Sequence, residues 1–86
     1  MNELISLYDI QPGQQAVIES LHTQEPLRRR LLELGFFPGV RLSCLGRAPA
    51  GDPTAYLLRG TVLALRDRDA ATVLVRPLEG RKAPWA

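Results

Sequence analysis

Short apolar segments alternate with turn residues along this chain, and a single stretch departs from that rhythm. Leu4 to Ile10 leads into Gln11-Pro12-Gly13, where Pro presets the first central position of a turn and Gly accepts positive φ at the next. A first strand is predicted over 15–21. Between Glu25 and Leu34 the period changes, because Leu27, Leu31 and Leu34 recur at i, i+4 and i+7 on one helical face with Leu32 beside it. Arg28, Arg29 and Glu33 then face water, and Arg30 lies nearest the apolar side with its stem packed there. Pro26 fits only a first helical turn, Thr23 or Gln24 stands near the cap, and Gly35 sits where a left-handed C-cap ends a helix.

After Phe36-Phe37-Pro38-Gly39, the residues Val40, Leu42 and Cys44 alternate with Arg41 and Ser43, the period of a strand with one buried face and Cys44 inward. Phe36 and Phe37 are adjacent, so in extended chain only one points inward and the outward one is free to meet a partner. The loop 47–53 separates this strand from Thr54 to Arg59 and Thr61 to Arg66, two strands joined near Gly60. A last strand, Thr72 to Arg76, is expected to end at Pro77, leaving 78–86 as a flexible tail that carries Trp85. The pattern predicts a mainly β domain over 1–77: a small barrel of about five strands with one short α-helix inserted after the first barrel strand.

Length and composition narrow the picture. With 86 residues there is room for one domain and one core. The single cysteine, Cys44, cannot form an internal disulfide and fits a reducing compartment. The start, Met1-Asn2-Glu3-Leu4-Ile5, has neither the basic region nor the apolar stretch of a signal peptide, so the expected location is cytoplasmic. The longest apolar run is Val62 to Leu65, far short of a membrane span. Eleven basic residues against nine acidic ones, interleaved, give a formal charge of +2, which permits but does not argue for nucleic acid or anionic lipid.

The chemistry on offer is sparse. One His, one Cys and scattered acids supply neither a nucleophile with its base nor a pair of tuned carboxylates, so no enzymatic activity is expected. Gly60-Thr61 lacks the lysine of a phosphate loop. His22 and Glu25, three apart near the helix start, can share one transition metal ion such as Fe or Zn, but a structural zinc site wants four ligands, and no cofactor is required by the pattern. Arg28-Arg29-Arg30 points in three directions around a helix and forms no single stripe, although it can meet acidic surface. Cys44 reads as a small apolar core residue.

Taken in order, these segments resemble the FeoA family (ferrous iron transport protein A) and the related SH3-like domains at the C-terminus of iron-dependent metalloregulators. The resemblance covers about 4–76 and is carried by Gly13, by Arg30-Leu31-Leu32-Glu33-Leu34-Gly35-Phe36-Phe37-Pro38-Gly39, by Ala48-Pro49-Ala50-Gly51-Asp52-Pro53, by Arg59-Gly60 and by Leu63-Ala64-Leu65-Arg66. Gly13, Leu31, Leu34, Gly35, Gly39 and Gly60 are its structural positions. It implies an SH3-like barrel with a helical insertion, acting as a non-catalytic cytoplasmic accessory at the inner membrane through the ferrous iron transporter FeoB, whose cytoplasmic portion includes a G-domain. Loops on a small rigid barrel usually carry contacts, which makes Arg28, Arg29, Phe36, Phe37, Pro38, Pro49 and Asp52 the partner-binding candidates. The alternatives are a regulatory or peptide-binding SH3-like module of the metalloregulator type and a small RNA-binding barrel, the latter undercut by near-balanced charge and few aromatics. Exposed strands leave self-association open.

Overall fold

Alternation of side chains builds the sheet. Thr54, Tyr56 and Leu58 of one strand are buried while Ala55 and Leu57 between them are half-buried, and Ala16 and Ile18 alternate in the same way with their neighbours. The computed structural model describes residues 3–82. Its strands are β1 (Ile5–Ser6), β2 (Gln14–Leu21), β3 (Arg41–Arg47), β4 (Thr54–Leu58), β5 (Thr61–Leu65) and β6 (Val73–Lys82). Two α-helices, α1 (Leu27–Glu33) and α2 (Asp67–Ala70), and a 3-10 turn at Leu7–Asp9 complete it. The strands form one antiparallel sheet in the order β1-β6-β2-β3-β4-β5.

Register shifts between Ile18 and Ser20 in β2 and between Cys44 and Gly46 in β3 mark bulges, which bend the sheet around its apolar face. The two ends of the strand order approach each other through short elements. The 3-10 turn following β1 packs on α2, which follows β5, and the Tyr56 hydroxyl on β4 donates to the Leu7 carbonyl at 3.4 Å. Enclosed between them is one core that includes Leu7, Ile10, Ile18, Leu31, Phe36, Leu42, Tyr56, Val73 and Val75. The architecture is the mainly β, small barrel with an inserted helix that the pattern predicts.

Several expectations need correction. The sheet has six strands, because the short β1 pairs with Leu74 and Val75. The last strand does not stop at Pro77 but runs through it to Lys82. Pro77 pairs with Ala16 beside a register irregularity and beyond the two residues that β1 covers, a bulged and one-sided place where a missing N–H breaks no ladder bond. Trp85 and the rest of 83–86 lie outside the described residues. Ser43, expected to face outward, is buried, with its hydroxyl accepting from Gln15 Nε2 at 3.4 Å. Leu34 is the C-cap of α1 and 38% exposed rather than on the buried face, since the helix ends one residue earlier than the period suggests. Arg30 is exposed.

Candidate protein-docking site

The helical insertion hangs between β2 and β3, and the way it ends sets the surface it presents. The amide of Gly35 donates to Leu32 O at 3.0 Å and that of Phe36 to Leu31 O at 3.0 Å, the paired bonds of a Schellman ending. Such an ending needs a residue of positive φ just past the cap, and Gly35 has φ +105°. A Cβ there would also stand 3.2 Å from Leu58 Cδ2. The same geometry turns Phe36 back against Leu31, and both are buried. The chain then reverses: Phe37 N donates to Gly35 O at 2.8 Å, and Gly39 N and Val40 O bond the main chain of Ile18 on β2. Phe37 is thereby left 46% exposed.

Phe36 is therefore not a partner-binding residue, as its ring fills the core beneath the insertion. Phe37 is the outward one of the pair, with Leu34 and Pro38 also exposed on the same turn. Along α1 the side chains of Arg28 and Arg29 are exposed, and Pro26, Leu27, Arg29, Arg30 and Glu33 line a shallow depression on the outer face of the helix. Arg28 reaches Glu25 at 3.5 Å, an exposed ion pair that leaves the arginine accessible. The outcome is a ridge with apolar points at Leu34 and Phe37 and a basic flank from α1.

His22 and Glu25, the two residues near the helix start, are each engaged locally. His22 Nε2 shares a hydrogen bond with Ser20 Oγ at 3.0 Å, while Glu25 accepts from the Arg29 amide at 3.2 Å and pairs with Arg28. Among the described residues no group of three or more His, Cys, Asp or Glu side chains is placed to hold an ion. Cys44 is buried in the core, and burial pushes its thiol above its ordinary range.

Pro49 and Asp52 sit apart from the ridge, in the loop between β3 and β4. Pro49 is exposed, but Asp52 Oδ1 accepts from the Asp67 amide at 2.9 Å at the start of α2. That bond belongs to a network the sequence did not reveal. Arg47 on β3 donates to Thr54 Oγ1 at 2.9 Å, to Tyr8 O at 3.3 Å and to Ile10 O at 3.5 Å, with its guanidinium 5.4 Å from the centre of the Tyr8 ring. Thr54 in turn donates to Asp67 Oδ1 at 3.3 Å. One guanidinium thus ties the N-terminal segment to β4, and through Thr54 to α2, which is how the ends of the sheet are held together.

A small six-stranded antiparallel barrel with a helical insertion after its first long strand belongs to the class of SH3-like folds. The FeoA domain family model matches residues 5–77, and the chain belongs to that family. It is 35% identical over 69 residues to the Fe(2+) transport protein A/Fe(2+) transporter FeoB fusion protein of Porphyromonas gingivalis, a match over 80% of this chain that spans only 8% of that relative. The FeoA protein of Chlorobium tepidum superposes with a TM-score of 0.84 at 31% identity, covering 93% of this chain and 76% of that one. The zinc-complexed FeoA of Stenotrophomonas maltophilia, described as a procaryotic SH3 domain protein, gives 0.75 at 31% identity over 83% and 88% of the two chains. A manganese-dependent transcriptional repressor shares the fold at 15% identity and a TM-score of 0.78.

Proposed function

We propose that this chain is a non-catalytic accessory of ferrous iron uptake that docks on the cytoplasmic portion of the membrane ferrous iron transporter FeoB. The observation that carries the reading is the Porphyromonas gingivalis relative, in which a segment 35% identical to this chain shares one polypeptide with FeoB. Fusion holds two modules at high effective concentration, and a contact useful in the fused form is available to the separate chains. No helix among the described residues is long and apolar enough to cross a membrane, so attachment to the bilayer would come through the partner.

The docking surface in this proposal is the ridge of Leu34, Phe37 and Pro38 with Arg28 and Arg29 on its flank. An exposed aromatic beside arginines is the composition that anchors protein interfaces, where aromatic residues and Arg are enriched and a few such side chains carry most of the binding energy. The test is recovery of the tagged chain from iron-limited cells, native beside Phe37→Ala. Recovery of the transporter with the native chain and its loss with a folded Phe37→Ala supports docking. Recovery of RNA or a repressor in its place would move the chain to another role.

A further inference from the structure

The ridge lies where three elements begin or end, and each brings an exposed arginine to it. On α1, Arg30 stands one helical turn before Leu34, whose amide donates to the Arg30 carbonyl at 3.0 Å. Arg41 is the first residue of β3, which starts just after the turn that carries Phe37 and Pro38. Arg59 follows β4, and its Cδ lies 3.6 Å from the place a Cβ on Gly35 would take, so its stem crosses the helix ending. Ser43 on β3 pairs with Leu57 on β4, and that register carried two residues further sets Arg41 level with Arg59.

Local structure does not favour this arrangement. Arg59 and Gly60 have φ of 54° and 80°, the two positive values of a type I′ hairpin, whose first position usually takes Asn, Asp or Gly. Like charges level with each other on neighbouring strands also repel, as Arg41 and Arg59 do. Between Glu33 and Asp67 the only acidic residue is Asp52, at the opposite end of β4, with a carboxylate oxygen on the Asp67 amide. Glu19 on β2 is taken by Arg76 at 2.8 Å, and among the described residues no carboxylate pairs with Arg30, Arg41 or Arg59. Arg28, Arg29, Arg30, Arg41 and Arg59 against Glu25 and Glu33 give this end a formal charge of +3. The rest of the chain, with six basic and seven acidic residues, sums to −1, so the positive charge is concentrated around Leu34 and Phe37.

Building on the docking reading above, we propose that the ridge selects an acidic segment of its partner polypeptide. An apolar side chain of that segment seats between Leu34 and Phe37, and flanking carboxylates pair with Arg30, Arg41 and Arg59. A guanidinium offers parallel N–H donors that match a carboxylate, and a carboxylate between Arg41 and Arg59 relieves their mutual repulsion. Apolar points inside a charged rim are the anatomy of a protein interface. Glu25 and Glu33, interspersed among the arginines, meet the phosphates of a nucleic acid or a lipid surface with like charge, which favours a polypeptide over either. Arg30, Arg41 and Arg59 are then specificity-determining residues beside the Phe37 anchor.

The experiment measures the affinity of the full chain for the full-length transporter in neutral-lipid nanodiscs at about 0.05 M and about 0.5 M NaCl. Single-stranded RNA and phosphatidylserine vesicles serve as the other two probes. Native affinity should fall by roughly tenfold across that salt range, because screening shortens the reach of the arginines. Arg41→Gln and Arg59→Asn should each weaken binding by roughly fivefold, and Arg68→Gln, an exposed change on α2, should leave it as it is. Arg59→Asn also separates recognition from folding, since Asn suits the type I′ position and the urea midpoint holds or rises while binding falls. If the asparagine variant fails to fold, Arg41→Gln carries the test. Salt-insensitive binding that is lost with Phe37→Ala but unchanged in Arg41→Gln and Arg59→Asn would overturn the acidic partner and leave docking intact. Absence of native binding at either salt concentration would remove the docking reading and this one with it. Tighter binding to RNA or to the vesicles than to the transporter would assign the arginines to phosphate and overturn the proposal as well.

Discussion

The two adjacent phenylalanines supply a sharp test of how the insertion is built. Phe36 is 1% exposed and packs against Leu31 at the end of α1, so Phe36→Ala removes a fully buried ring and leaves a cavity, at a cost of about 3–5 kcal/mol. Phe37 is 46% exposed, and Phe37→Ala gives up only about half the burial of an aromatic side chain, about 1 kcal/mol. Total stability for a domain of this length is on the order of 4–13 kcal/mol, so the first change consumes a large share and the second a small one. In urea unfolding, at a slope of about 1.5 kcal/mol per molar, the midpoint should fall by about 2–3 M for Phe36→Ala and by less than about 1 M for Phe37→Ala. Equal shifts, or a loss below about 1.5 kcal/mol at Phe36, would refute the assignment of Phe36 to the core and Phe37 to the surface.

Other substitutions probe other joints. Gly35→Ala combines a strained positive φ with a methyl 3.2 Å from Leu58 Cδ2 and should destabilise by about 2 kcal/mol in the same assay; a neutral result would mean that the helix ending is not as described. Arg47→Met keeps the aliphatic stem but loses the bonds to Thr54 and to the carbonyls of Tyr8 and Ile10, costing about 2 kcal/mol and speeding exchange of the N-terminal segment more than that of β2. Uniform acceleration along the chain would contradict its role as the tie between the ends of the sheet. The alkaline range reports on Cys44 and Tyr56, whose acidities burial raises above their ordinary values of 9.0 and 10.0. Both are held neutral in the folded chain, while the unfolded chain ionises first, so their contribution is fully present below about pH 9 and is lost as pH rises further. Urea midpoints should be steady through neutrality and fall in strong base, and a midpoint that rises there would refute the burial of these groups.

The legible part of the fold rests on signals contained in a few consecutive residues. The change of period at Leu27 and Leu31, the alternation of Leu42 and Cys44, and the Arg59-Gly60 turn each state a local geometry that the packing then keeps. What stayed hidden depends on distance or on brevity. Asp67 to Ala70 is too short to show a helical period, and Ile5-Ser6 becomes a strand only because β6 lies beside it. Arg47 looks like any charged strand residue until β4 and the N-terminal segment bring their oxygens to it. The sequence also says that one of Phe36 and Phe37 is buried without saying which. A usable signal existed, since Gly35 as the residue after the cap makes Phe36 the partner of Leu31 in a Schellman ending. Leu34 misled because a helical period assigns faces but does not say where the helix stops.

The central claim is that the Phe37 ridge binds the ferrous transporter, and calorimetric titration of the purified chain into the transporter's isolated cytoplasmic portion tests it most directly. The account predicts saturable one-to-one binding by the native chain, with affinity reduced at least tenfold for a folded Phe37→Ala and less for Pro49→Ala, which lies away from the ridge. Native binding that Phe37→Ala leaves unchanged, or no binding by the native chain at any concentration, would contradict it.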